Sequence, residues 1–236
     1  MKVIAKDREH LLILIHEAIE SKGFNCSLNH IDVSQIKDIN NLFSHSNFNG
    51  DISKWNVSSV ENMTSLFYCS AFNGDISKWN TSNVKEMLST FEKSKFIGDI
   101  SEWDVSNVEN MRMMFHSSYF NGDISQWNTS KVKDMCGMFN YTQFKGNISK
   151  WNVSNVKNMN FMFEDCEYLG DLSDWKPFKV EPIINFMRAP KSNIPYWAKY
   201  EDMQLRNKAI ETYHLQKDLA KELKNESNTI LKRIKI

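Results

Sequence analysis

Apolar residues recur along this chain at a fixed interval of 24 positions. Phe48, Phe72, Phe96, Phe120 and Phe144 form one series, Trp55, Trp79, Trp103, Trp127, Trp151 and Trp175 a second, and Val60, Val84, Val108, Val132, Val156 and Val180 a third. Such self-similarity marks a repeat architecture, because one unit leaves an apolar face that only its stacked neighbours can bury. The clearest copy runs from Phe144, as F-K-G-N-I-S-K-W-N-V-S-N-V-K-N-M-N-F-M-F-E-D-C-E. The same phase finds a degenerate first copy at Phe24 and a seventh at Tyr168. The chain therefore divides into an N-terminal strand and helix over 1–23, seven copies over 24–191, and a helical cap and tail over 192–236.

Each copy reads as two elements. A short extended segment, D-I-S-K-W, follows a glycine such as Gly50, Gly74 or Gly98, expected to ease a tight backbone path. A helical turn or two then opens at Ser58, Ser82, Ser106, Ser130 or Ser154, since serine is a favoured N-cap. Apolar residues at i, i+3, i+6 and i+7, for example Val108, Met111, Met114 and Phe115, predict one buried face. The expected fold is an α/β repeat solenoid, with short parallel strands on one face, short helices on the other and helical caps at both ends. At the usual strand spacing the wall would be about 30 Å long. Strict periodicity places the Trp and Met ladders in the core rather than in a cofactor site.

The flanks differ from the repeats. Residues 2–5 predict a strand, and Asp7 caps a helix over 8–21 that Gly23 ends. Pro177, Pro182, Pro190 and Pro195 interrupt the pattern before a second helical stretch, about 195–224. There Leu215, Leu219 and Leu223 recur every four residues, which suits a cap over the last copy or a protruding helix that dimerises or docks on a partner. Lys232, Arg233 and Lys235 read as a solvated tail.

The unit F-N-G-D-I-S-x-W with V-x-x-M-x-x-M-F resembles the repeat of the BspA-like leucine-rich-repeat proteins, in the mycoplasma-lipoprotein branch. The resemblance covers about 165 residues. It implies a right-handed, curved, leucine-rich-repeat-like superhelix and a binding role. Secreted members are adhesins, and the sequence lacks their signal peptide, lipobox cysteine and wall anchor. The expectation is thus a compact, cytoplasmic member, with an adhesin as the alternative.

Composition excludes more than it identifies. The 29 basic and 29 acidic residues balance, so no overall field attracts nucleic acid or anionic membrane. The longest early apolar run, Leu11 to Ile15, is too short to span a bilayer. Cys26, Cys69, Cys136 and Cys166 fall at different phases and form no C-x-x-C pair, which argues against disulfides or zinc. The six histidines share no catalytic or metal-ligating spacing. Asp51, Asp75, Asp99, Asp123 and Asp171, with Asn147 in the same phase, suit an Asx-type turn bond better than a calcium ladder or a catalytic array. No cofactor, metal or catalytic residue is expected, and the anticipated partner is another protein rather than nucleic acid or membrane.

Partner contacts should sit where copies differ and point outward. Tyr68, Met113, His116, Tyr119, Tyr141 and Phe161 are candidates on the helical side, as anchors or as cover over neighbouring copies. Beside the serine ladder of the sheet side, Lys54, Lys78, Glu102, Gln126 and Lys150 form a second candidate stripe.

Overall fold

The computed structural model describes residues 2–188 and 193–234. Coils of 24 residues stack in register, each bridging the next in parallel. One continuous row of bridges runs Asp38, Asn62, Glu86, Asn110, Asp134, Asn158. We number the coils 1 to 7 from Phe24, Phe48, Phe72, Phe96, Phe120, Phe144 and Tyr168, and positions 1 to 24 within each.

The expected helices do not form within the described coils, where turns and isolated bridges also replace the strands except at Ile31–Asp32 of coil 1. Left-handed backbone explains why. Positions 18 (Asn41, Ser65, Ser89, Met113, Gly137, Phe161, Asn185) and 22 (His45, Cys69, Lys93, Ser117, Tyr141, Asp165) all have φ between 46° and 62°. Two left-handed residues four apart cannot belong to a right-handed helix. The backbone instead divides its donors alternately. In coil 2, Met63, Ser65, Phe67 and Cys69 donate their amides to Glu86, Leu88, Thr90 and Glu92 of coil 3, while Leu66, Tyr68 and Ser70 donate to Met63, Ser65 and Phe67 of their own coil. The resulting spiral satisfies the backbone without helix or sheet.

Side chains at fixed positions build the core. Phe48, Phe72, Phe96, Phe120 and Phe144 at position 1 are buried, as are Phe67, Phe91, Phe115, Phe139 and Phe163 at position 20. Their rings interleave, with Phe67 stacked 4.4 Å from Phe72 and Phe139 4.2 Å from Phe144. The tryptophan ladder is tied as well as packed. Each indole N–H donates to a carbonyl 27 residues earlier, from Trp55 to Leu28 through Trp175 to Ile148, at 3.0–3.2 Å.

The repeated glycine has a role other than the expected one. At Gly74, Gly98 and Gly122 a Cβ would fall 2.7–2.9 Å from the phenylalanine ring two residues earlier. The residue is small so that its own coil's Phe can turn inward; none of these glycines has positive φ. The serine caps are also reassigned. Asn56, Asn80, Asn128 and Asn152, or Asp104, accept from the serine amide two residues on, so the serine receives the turn bond rather than capping a helix.

At the N-terminal end, β1 (Val3–Ile4) pairs in parallel with β2 (Ile31–Asp32). Asp7 caps α1 (Arg8–Lys22) by accepting from the His10 amide, and Leu11, Ile15 and Ala18 are buried against the stack. At the other end a 3₁₀ turn, Tyr196–Lys199, precedes α2 (Met203–Ile234). The first turns of α2 cover coil 7. Arg206 and Ile210 are fully buried, Arg206 donates to the Val180 carbonyl, Asn207 to that of Phe178, and Lys217 pairs with Asp174. Leu215, Leu219 and Leu223 lie on the opposite side of the helix and are exposed. Thus α2 caps with one face and presents leucines with the other. Pro190, the 191/192 boundary and Lys235 lie outside the described residues, as do the side chains of Lys232 and Arg233.

Candidate functional site

The variable ridge is made by positions 18, 21, 22 and 24, where the spiral turns side chains away from the core. Not all of the six aromatic or large candidates are anchors. Met113, left-handed at position 18, runs across Gly137 of the next coil, its Cγ 3.4 Å from where a Cβ would stand. It is cover for a neighbour. Phe161, also left-handed, is half-buried. Tyr68 stands apart with His45, edge-on at 4.9 Å, and with the Lys93 ammonium 5.7 Å above its ring.

The other three meet at coils 4 and 5. Tyr119 and Tyr141 are 73% and 58% exposed and flank a polar cleft of about 390 Å³ that Asn121, Gln143 and Lys145 also line. His116 touches the edge of Tyr141 at 5.9 Å. Beneath this group His116 Nδ1 and Asn140 Oδ1 are buried without a hydrogen-bond partner, an arrangement that costs stability. Burial also holds the His116 imidazole below its ordinary pKa, while an Asp165 hydrogen bond raises that of the Tyr141 hydroxyl.

The second stripe is open along its length. Lys54, Lys78, Glu102, Gln126 and Lys150 are all exposed. Lys78 pairs with Glu102 at 2.7 Å, which removes one alternation of charge, and Gln126 donates to Ser125 at 3.0 Å. The neighbouring serine ladder is bound to the Asp ladder. Asp51, Asp75, Asp99, Asp123 and Asp171 accept from the amide two residues on at 2.8–2.9 Å, and Asn147 does so at 3.0 Å. These bonds, with the same serines' hydroxyls (the larger cause at Asp171), hold the Asp carboxyls below their usual pKa. This is the Asx turn expected from the sequence, and Asn147 fills it as well as an acid does.

One feature has little trace in the sequence. A groove of about 900 Å³ opens between α1 and coil 1, walled by Leu12, Ile13, Ile19, Phe24 and Leu42, with Glu20 at its rim. Exposure of Ile13 and Phe24 is its only sign in the pattern, and isolated exposed apolar residues are common. No disulfide joins the four cysteines, of which Cys69 is exposed and the others are buried. Among the described residues no group of three or more His, Cys, Asp or Glu side chains is arranged to hold a metal ion, and no helix is long and apolar enough to cross a membrane.

The chain matches a family described as "Mycoplasma protein of unknown function, DUF285" over residues 15–119 and 92–197. No curated protein and no solved structure matches it.

Proposed function

The chain belongs to the DUF285 family of mycoplasma-type repeat proteins, and we propose that it is a non-catalytic protein-binding module acting in the cytoplasm. We read its stack as the right-handed, leucine-rich-repeat-like solenoid of the BspA-like proteins, put to use as an adaptor or inhibitor. The observation that carries the reading is the exposed Tyr119–Tyr141 pair on the variable ridge, set around a polar cleft. Tyrosine offers large, stiff contact area at small entropic cost, and surrounding amides supply adaptable hydrogen bonds. The ordinary chemistry of the Asp ladder, fully used in turns, favours binding over catalysis.

The test is affinity capture from the native cell with the full chain and a Tyr119→Ala/Tyr141→Ala variant, read by mass spectrometry. The expected result is a specific protein whose recovery falls at least tenfold in the variant, as for loss of interface anchors worth about 1.4 kcal/mol or more. Equal recovery by both would place the partner elsewhere, and recovery of a glycan instead would overturn the partner class. Recovery of the protein itself only outside the cell would favour the adhesin.

A second reading concerns self-association. The outward leucines of α2 suit pairing with another copy. Sedimentation of a Leu215→Lys/Leu219→Lys variant tests it, a monomeric wild type being the refuting result.

A further inference from the structure

Position 14 of the repeat alternates in sign through Lys37, Glu61, Lys85, Glu109 and Lys133. The alternation is used. The Glu61 carboxylate lies 3.2 Å from Lys37 and 2.7 Å from Lys85, and Glu109 lies 2.5 Å from Lys133. It fails at the next rung, where Lys157 follows Lys133. Glu181, one rung further, forms no ion pair with Lys157 among the described residues, and its charge acts on Arg206 of α2 instead.

Position 12 departs in the same place. Asn83, Asn107 and Asn155 each donate a side-chain amide to a serine carbonyl of the preceding coil at 2.7 Å. Lysine replaces Asn at this position in coils 5 and 7. Lys131 and Lys179 reach only the neutral side-chain oxygens of Asn107 and Asn155, each at 2.6 Å.

The result is a cleft of about 320 Å³ lined by Lys131, Lys133, Lys157, Lys179, Asn155 and Glu109. Four cations face one carboxylate in a chain whose charges balance overall, 29 against 29. Like charges on neighbouring rungs repel, so the excess is a standing cost that an anion would relieve. All four lysines are exposed and accessible.

We propose that this cleft docks an acidic peptide segment of the partner protein, whose carboxylates supply the charge of the acidic rung missing at position 14 of coil 6. The proposal rests on the protein-binding reading and adds the chemistry of the partner. A carboxylate is the occupant the site already accepts, since Lys133 holds Glu109 there. The lining has neither an arginine fork for phosphate nor an aromatic side chain on which a base would stack.

Isothermal titration of the full chain with poly-L-glutamate at low salt tests this. Two variants of equal charge change are compared, Lys157→Glu/Lys179→Glu in the cleft and Lys54→Glu/Lys150→Glu on the other stripe, with Lys131→Ala/Lys157→Ala as a milder cleft variant. Affinity should fall about tenfold or more for the cleft reversal, less for the alanine pair, and under about twofold for the stripe. Equal losses in cleft and stripe would mean a diffuse field and overturn the proposal. So would absence of binding by the wild type, or tighter binding of inorganic polyphosphate or single-stranded DNA at matched ionic strength. The Tyr119→Ala/Tyr141→Ala variant should bind poly-L-glutamate as the wild type does, so this proposal and the tyrosine reading fail separately.

Discussion

Trp197 stacks on Trp175 at 6.3 Å and donates its indole N–H to the Leu172 carbonyl at 2.9 Å. It repeats the bond that each tryptophan of the coils makes, yet it lies 22 residues after Trp175 rather than 24 and belongs to the 3₁₀ turn before α2. The cap thus closes the stack by imitating its next rung.

Trp197→Ala should therefore destabilise the protein by about 3–5 kcal/mol, the usual cost of emptying a buried aromatic site. Trp197→Phe keeps a ring and removes only the indole bond, since the Leu172 carbonyl still accepts from the Trp175 amide at 3.1 Å, costing about 0.5–1.5 kcal/mol. Urea unfolding followed by circular dichroism separates the two; a Trp197→Phe protein as stable as the wild type would mean that the hydrogen bond contributes nothing, and equal losses that the ring does not.

Two glycine substitutions should differ in kind. Gly74→Ala drives a Cβ to within 2.8 Å of the Phe72 ring, and overpacking of that sort costs about 1–3 kcal/mol. Gly137→Ala meets only Met113 at 3.4 Å but sits at φ 62°, where alanine pays about 1–2 kcal/mol. Adding Met113→Ala should leave the second penalty intact, because its origin is backbone strain. Thermal melts of the single and double variants check this.

Asp99→Asn should leave stability nearly unchanged, since Asn147 makes the same turn bond, whereas Asp99→Ala should lose about 0.5–1 kcal/mol. Added calcium or a chelator should leave the melting temperature where it is. A large rise with calcium would replace the turn reading with a metal site.

The protein should lose stability as the pH falls from 7 toward 5. Burial holds the His116 imidazole below 6.5, Glu92 opposing the shift and Lys93 assisting it. The unfolded chain therefore takes up the proton first, so this contribution is whole above about pH 6.5 and declines as the pH drops toward the folded value. Burial depresses His214 as well. His116→Gln should flatten the melting temperature between pH 7 and 5, and an unchanged slope would refute the role of His116.

The repeat and its core were legible because burial imposes periodicity, and the series through Phe48, Trp55 and Val60 carries it openly. The backbone path was not. Apolar spacing at i, i+3, i+6 and i+7 suits a helix, but the spiral of turns buries Val60, Met63, Leu66 and Phe67 equally well. The contrary signal was faint. Asn41, Gly137 and Asn185 at position 18 are residues that tolerate left-handed backbone, but Ser, Met and Phe fill the other copies and hide the requirement. Among the candidate anchors, sequence could not separate Met113, which lies over its neighbour, from Tyr119 and Tyr141. That difference depends on whether the next coil offers a glycine beneath the side chain. The lysine cleft was visible only as two departures from the consensus, and stacking alone brings them to one edge.

The spiral's hydrogen bonds also give the stack a direction. In coil 2 four spiral amides point toward the C-terminal end, while the returning bonds from coil 3 come from Lys85, Glu86 and Lys95. The dipoles of the spiral peptides accordingly lie along the stacking axis, with their negative pole at the N-terminal end, and the returning bonds oppose them elsewhere on the coil. Arg8 places its guanidinium there, 2.5 Å from the Asn40 carbonyl that has no earlier coil to serve it. Along this one edge the spiral resembles the end of a helix, and a cation beside the unserved carbonyls of its first coil is the charge that edge prefers.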